Sequence, residues 1–491
     1  VARGSSELRG QWVPFSIILA VGFMTLLDVS IVNVALPSIE SSLNAGSQEI
    51  QWIVAGYTLT FGLTLVAAGR AGDIFGRRNL FMIGLAGFIA ASAGAGFATD
   101  DTMLAVMRLV QGVFAGILNP QVLGMMQDMF RGAARAKAFG AFGVIVGVST
   151  AIGPVLGGAL VSLAPVDIGW RLVFLINLPI GLVVLPLAAK YLPNLPGHKG
   201  EGRSLFRMLD PIGILLVSVT VLAVMVTFLD SEGSGDSASG ASRYWLLGVA
   251  ALAALATYLW ERWSYSRGGT VLLDPRLAHN PSFVLGVLTS SFYFAGFSSI
   301  FLTSTMYLQQ GMGWSPWYAG LAAMPFAIIS GFASGLSGRL VTVHGRNIPI
   351  AGALIVSISI ALLAASAQWV PLPVQPFAVI LFMSVAGCGS GLLISPNQTL
   401  TLEDVPGEVA GIAAALLQTF QRLGAAVGLA VVSSIYFRTL NTVESPDQSG
   451  KAMAAASIVT AAIVFLSFLS SLADKLRRGR GAHRGSRDRE G

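Results

Sequence analysis

"GRAGDIFGRR" (Gly69–Arg78) gathers three arginines and one aspartate into a single short stretch of a chain in which only 11% of residues are charged. Apolar runs flank it on both sides, so it reads as a short polar connection between two buried segments. A second stretch, "GRLVTVHGRN" (Gly338–Asn347), repeats the Gly-Arg pair at its start and again at the same seven-residue offset, with Thr342 where Asp73 stands. A connection that recurs in this way marks two related halves.

Composition says what kind of segments these are. Hydrophobic residues make up 54% of the 491, mean hydropathy is +0.72, and uncharged stretches of about twenty residues recur throughout. The chain reads as an all-α polytopic membrane protein. One cysteine rules out an internal disulfide, and the four histidines (His198, His279, His344, His483) fall in polar connections, so neither a metal nor another cofactor is expected. A net charge of +6 and a pI near 9.6 suit nucleic acid in a soluble protein. Here the basic residues are scattered through short loops, which argues against a nucleic-acid partner. The first apolar run, from Val13, is about 24 residues long, too long for the core of a cleaved signal, and is read as a retained span.

Hydropathy places six spans at 13–36, 51–69, 79–98, 103–126, 138–163 and 170–191, two at 209–229 and 243–263, and six at 282–309, 316–338, 348–367, 374–400, 409–437 and 452–473. With the N-terminus inside, about two dozen Lys and Arg fall on the inner side against four outside (Arg171, Arg243, Arg438, Lys451), as the positive-inside rule requires. Both termini are then cytoplasmic, and the expected location is the plasma membrane. Tryptophans at 12, 52, 170, 245, 260, 263, 314, 317 and 369 lie near span ends, the headgroup level that amphipathic rings prefer. The two charged Gly-Arg stretches fall at corresponding connections of the two six-span groups, the pattern of transporters whose halves rock around a central site. The expected organisation is a cytoplasmic N-terminus (1–12), a six-helix bundle (13–192), linkers with an inserted two-helix hairpin (193–281), a second six-helix bundle (282–473) and a basic tail (474–491).

These residues resemble the major facilitator superfamily, in its fourteen-span drug:proton antiporter branch. "GRAGDIFGRR" resembles the superfamily's loop pattern, "LDVSIVNVALPSI" in span one a pattern of the fourteen-span exporters, "RLVQGVFAG" in span four an Arg-x-x-Gln-Gly pattern tied to proton coupling, and "GVSTAIGPVLGG" in span five the antiporter pattern. The resemblance covers nearly the whole chain. It implies two six-helix bundles plus the hairpin, and a proton-coupled exporter of amphipathic or cationic small molecules that works as a monomer in the lipid bilayer. Export of an endogenous lipid or secondary metabolite, and nutrient symport, are the other transport readings. The sequence carries neither the phosphate loop of an ATP-driven pump nor a catalytic constellation.

Site residues follow from this. Arg70 and Arg78 serve topology whatever else they do, whereas Asp73 adds nothing to that signal. The resemblance implies that Asp73 faces the N-terminus of span thirteen, near Gly407, where a helix dipole stabilises a carboxylate. Arg77 has Asp128 within reach at the inner end of span four. Gly69, Asp73, Gly76, Arg77, Arg78 and Asp128 are therefore assigned to a cytoplasmic gate.

Three charges lie well inside spans: Asp28, Arg108 and Arg422. A charge at mid-membrane costs at least about 2.5–3.5 kcal/mol, so each is a candidate for function. At about 1.5 Å per residue, Asp28 lies roughly 13 Å and Arg108 roughly 10 Å below the outer surface, close enough to pair. Asp28 and Arg108 are assigned to proton coupling, although Arg108 is long enough to snorkel instead. Asn33, Gln111, Gln418 and Arg422 are assigned to the substrate cavity, Arg422 sharing a helix face with Gln418. Gly147, Gly153, Pro154, Gly157 and Gly158 form the antiporter helix, where small residues permit close backbone approach. The aromatic run "SFYFAGFSSIF" in span nine reads as packing before it reads as a drug-stacking surface.

Overall fold

The computed structural model describes residues 2–130, 132–193, 210–228, 244–267, 271, 275–405, 410–442 and 448–487. Among these described residues all regular structure is helical, as apolar surroundings demand of a backbone that must satisfy its own polar groups. The first helices are α1 (Ala2–Leu43), the short α2 (Ser47–Gln51), which runs through a wide π-turn (Trp52–Gly56) into α3 (Tyr57–Phe75), α4 (Arg77–Gly96), α5 (Asp101–Met129) and α6 (Gly132–Ser162). Then come α7 (Val166–Leu175), α8 (Asn177–Tyr191), α9 (Pro211–Phe228) and α10 (Trp245–Ser266). The last are α11 (Pro281–Met306), continuing through a π-turn (Tyr307–Gly311), α12 (Pro316–His344), α13 (Asn347–Trp369), α14 (Gln375–Leu402), α15 (Ala410–Thr442) and α16 (Gln448–Arg487).

Ten helical segments among the described residues are long and apolar enough to cross a membrane. Helices also occupy the other four expected positions, as α3, α6, α9 and α10, without meeting the same measure of length and apolarity among those residues. Local chemistry sets many of the boundaries. Asp100 caps α5, its carboxylate accepting from the Met103 N–H at 2.7 Å; that hydrogen bond holds the Asp100 carboxyl below the usual carboxylate range. Asn280 caps α11 in the same way, with Pro281 preset for the first turn.

The chain divides into two compact units, one of residues 1–272 with 308–324, the other of residues 273–307 with 325–491. In the first unit α1 packs on α6, and α3 and α4 both pack on α5. The hairpin α9–α10 belongs to this unit and touches α3. At its base Asp210 accepts from the Gly213 N–H and from Trp260 Nε1 at 2.8 Å. In the second unit α11 packs on α15 and α16, and α13 on α14 and α16. The aromatic run of α11 is packed there, with Phe297, Phe301 and Phe326 at centroid separations of 4.9–5.7 Å.

The repeat inferred from the two Gly-Arg stretches is visible in backbone conformation. Gly76 turns the chain between α3 and α4 with φ of 90°, and Gly345 turns it between α12 and α13 with φ of 51°, a half of φ space that L side chains rarely enter. One tryptophan departs from expectation. Trp170, read as a headgroup anchor, is fully buried and donates from Nε1 to Ser42 Oγ at 3.1 Å, because the Ser42 hydroxyl offers its indole a partner inside the bundle.

Candidate functional site

Asp28 lies in the interior of the first unit, 1% exposed, and so does Arg108. Arg108 Nη1 donates to Asp28 Oδ2 at 2.7 Å and to Gln111 Oε1 at 2.7 Å. The other carboxylate oxygen, Oδ1, accepts from Gln111 Nε2 and from Asn177 Nδ2, each at 2.9 Å. Both of these amide nitrogens also donate to Ser92 Oγ, at 3.2 and 2.9 Å, and the Ser92 hydroxyl donates a hydrogen bond to the Phe174 carbonyl at 2.9 Å. A charge that is costly in an apolar bundle is thus met by a full set of donors.

Four helix features place these groups. Arg108 and Gln111 stand three residues apart on α5 and share a face. Around the π-turn the regular carbonyl ladder is displaced, and the Ile53 carbonyl within it accepts from Arg108 Nε at 3.2 Å. Directly after that turn comes Tyr57, with the guanidinium carbon 4.1 Å from its ring centre. Asn177 starts α8 because the helix breaks after Leu175: Pro179 has no N–H to return to the Leu175 carbonyl. Among the described residues, no group of three or more His, Cys, Asp or Glu side chains is placed to hold a metal ion.

The ion pair that the two depths allow is therefore present. Gln111, expected to line a cavity, is fully buried inside the carboxylate network, since its amide serves both charges at once. Asn33 is half-buried on α1, and Gln418 and Arg422 are half-buried on α15 of the second unit. Sequence reasoning missed Asn177 and Ser92. For Asn177 a signal existed, an asparagine two residues before a proline inside an apolar run; for Ser92 there was none.

Where α3 meets α4 in the first unit, Arg77 Nε pairs with Asp128 at 3.0 Å, and Arg78 donates to the Ala189 carbonyl. Gly69 lies on α3 beside Pro120. The Asp73 and Arg70 side chains, and Gly407, lie outside the described residues. The second unit repeats the pairing: Arg346, the counterpart of Arg77, lies 3.9 Å from Glu403 at the end of α14, as Arg77 pairs with Asp128 at the end of α5. Arg346 also pairs with Asp474, which accepts from Ser282 Oγ at 2.7 Å, and Arg478 pairs with Asp404. Burial and the neighbouring Arg478 push Arg346 down to about 10, against the pull of Glu403, so it stays charged at neutral pH.

On α6, Gly153 lies against Ser30 and Gly157 against the Ile31 carbonyl of α1, which a Cβ would approach to 2.7 Å. Gly158 lies against Pro316, and Pro154 is inside the same helix, as is Gly147. Near the C-terminal ends of α1 and α6, a cavity of about 440 Å³ opens between Ser38, Ser41, Ser162, Gln309, Gln310 and Trp314.

The profile of the Major Facilitator Superfamily matches residues 18–429. A probable actinorhodin transporter of Streptomyces coelicolor is 32% identical over 90% of this chain and 75% of its own length. A puromycin resistance protein of Streptomyces alboniger is 33% identical over 87% of this chain and 82% of its own. Among solved structures, a bacterial homologue of the human lysosomal transporter Spinster, in an inward-facing and occupied conformation, superposes with a TM-score of 0.67 over 94% of this chain and 96% of its own. At 13% identity that likeness is one of fold alone.

Proposed function

Because the chain belongs to the major facilitator superfamily, we propose that it is a secondary active exporter of the fourteen-span drug:proton antiporter branch, moving amphipathic or cationic small molecules outward as protons move inward. The observation that carries this reading is the buried Asp28 carboxylate, held by Arg108, Gln111 and Asn177. Taking up a proton cancels the charge on Asp28 and frees Arg108 from its strongest partner. Arg108 then keeps the Ile53 carbonyl, Gln111 and the Tyr57 face, so the bond that ties α1 to α5 weakens while α3 and α5 stay joined. Changing which helices are tied together is how local charge biases a two-state bundle.

Substrate class rests on the relatives, two of which are named for actinorhodin and puromycin. The name of the first favours a second reading, export of a secondary metabolite, which uses the same coupling. In this reading Asn33, Gln418 and Arg422 line the substrate path, the gate residues Arg77, Arg78 and Asp128 face the cytoplasm with Asp73, and the protein works as a monomer in the plasma membrane with both termini inside.

The experiment is transport into proteoliposomes under an imposed pH difference alone. Wild-type protein should accumulate a cationic dye against its gradient, and Asp28→Asn protein, inserted at the same level, should not. Accumulation by Asp28→Asn against the gradient overturns Asp28 as the coupling site.

A further inference from the structure

We propose that Asn177 reads the protonation state of Asp28 by turning its side-chain amide, donating to the carboxylate and accepting from the acid. The inference rests on Asp28 being the proton carrier and assigns the partner that makes its protonated form tolerable.

A protonated Asp28 needs an acceptor for its new O–H. Its Oδ2 faces the Arg108 guanidinium, which only donates. Its Oδ1 faces two N–H donors, from Gln111 and Asn177. A proton added at Oδ1 therefore meets donors on both sides, and one amide has to turn. Gln111 is pinned, because its Oε1 accepts from Arg108 and a turned amide would press an NH2 against the guanidinium. Asn177 is not pinned: it is 1% exposed, and its Oδ1 is a buried acceptor with no hydrogen-bond partner. Turning it costs the contact with Ser92, which still has Gln111 as donor and the Phe174 carbonyl as acceptor.

No proton passes to Asn177. The proton arrives on Asp28, the N–H···O⁻ bond from Asn177 breaks, and an O–H···O bond to Asn177 Oδ1 forms. The groups of α5, α4 and α3 that complete this shell are Arg108, Gln111, Ser92 and Tyr57. Those of α7, also packed on α1, are engaged elsewhere, Asp167 by Ser42 and Arg171 by the Gly96 and Ala98 carbonyls. Asn177 opens α8 directly after the helix break, so a turn of its amide acts where the backbone ladder is already interrupted. It is a positioning residue for the proton on Asp28.

Infrared difference spectra across a pH step test this on full-length protein in lipid. With asparagine carrying a ¹³C amide, wild-type protein should show a carboxylic-acid band and, in the same step, a shifted asparagine amide band; Asp28→Asn should lose both. Asn177→Leu should move the acid band toward the frequency of a free acid, whereas Gln111→Leu should leave the acid hydrogen-bonded. Loss of one neutral hydrogen bond corresponds to about five- to tenfold, so Asn177→Leu should lower the maximal rate of proton-driven transport by about that factor with KM little changed. An acid band that depends on Asp28 with no asparagine band moving overturns the role of Asn177 and leaves Asp28 as carrier. Absence of any acid band that depends on Asp28 overturns both.

Discussion

The guanidinium of Arg108 is stacked on Tyr57, its central carbon 4.1 Å from the ring centre, with both side chains fully buried. The ring gives the cation a partner that does not change when Asp28 gains or loses charge. A desolvated contact of this kind is worth about 2 kcal/mol. Tyr57→Leu should therefore slow proton-driven transport by roughly thirtyfold, while Tyr57→Phe, which keeps the face, should stay within about threefold of wild type. Initial rates in proteoliposomes decide between them.

Removing one member of the buried pair should be worse than removing both. Arg108→Ala leaves a carboxylate without its counter-charge, a loss of about 3–5 kcal/mol for a buried pair. Asp28→Asn in the same chain should recover most of it, since the amide needs no cation. Arg108→Lys should recover part, supplying charge without the planar fork whose Nη1 serves Asp28 and Gln111 while its Nε holds the Ile53 carbonyl. Thermal unfolding of the two single variants and the double variant gives the coupling directly.

The Arg77–Asp128 pair behaves differently. Arg77 and Asp128 keep 22% and 38% of their side chains exposed, and water screens such a pair to about 1 kcal/mol or less. Asp128→Asn should lower stability by no more than that. Gly76→Ala, which forces a side chain onto φ of 90°, should cost about 1–3 kcal/mol. Denaturation midpoints should rank the two in that order.

Sidedness is open to a simple chemical test, because Cys388 is the one cysteine of the chain. On a Cys388→Ala background, Asp100→Cys should react with an impermeant maleimide added to intact cells, and His344→Cys only after the cells are opened. Reactivity of His344→Cys from outside would invert the orientation.

How far the site could be read in advance depended on charge. Asp28 and Arg108 stand out because an ionised group in an apolar run has no cheap explanation, and counting residues from the span end put them at one depth. Arg77 and Asp128 were legible as opposite charges at adjoining span ends. Ser92 was not, because neutral polar side chains in membrane helices mostly return to their own backbone, as Thr25, Thr58 and Ser357 do here, and Asn177 left only the sign of an asparagine two residues before a proline. Trp170 shows the same limit from the other direction: its place near a span end suggested the lipid headgroups, and it is packing against Ser42, Arg171 and Phe174 that makes it interior. Asp474 fell one residue beyond the last expected span, so its pairing with Arg346, 128 positions earlier, had no local sign. The two glycine turns were visible as a repeat, but not as a conformation.

The donors of Asp28 arrive late in the life of the chain. Arg108 follows it by 80 residues, Gln111 by 83 and Asn177 by 149. At synthesis rates of about 5–20 residues per second, that is a wait of roughly 4–16 s for the counter-charge and 7–30 s for the last amide. Through that interval the first helix carries an uncompensated acid, at a cost of about 2.5–3.5 kcal/mol for residence at mid-membrane. The nascent first helix therefore has reason to linger beside the insertion machinery until α5 emerges, and a ribosome-bound fragment ending before Arg108 should remain crosslinkable to that machinery, unless Asp28 is replaced by a neutral residue.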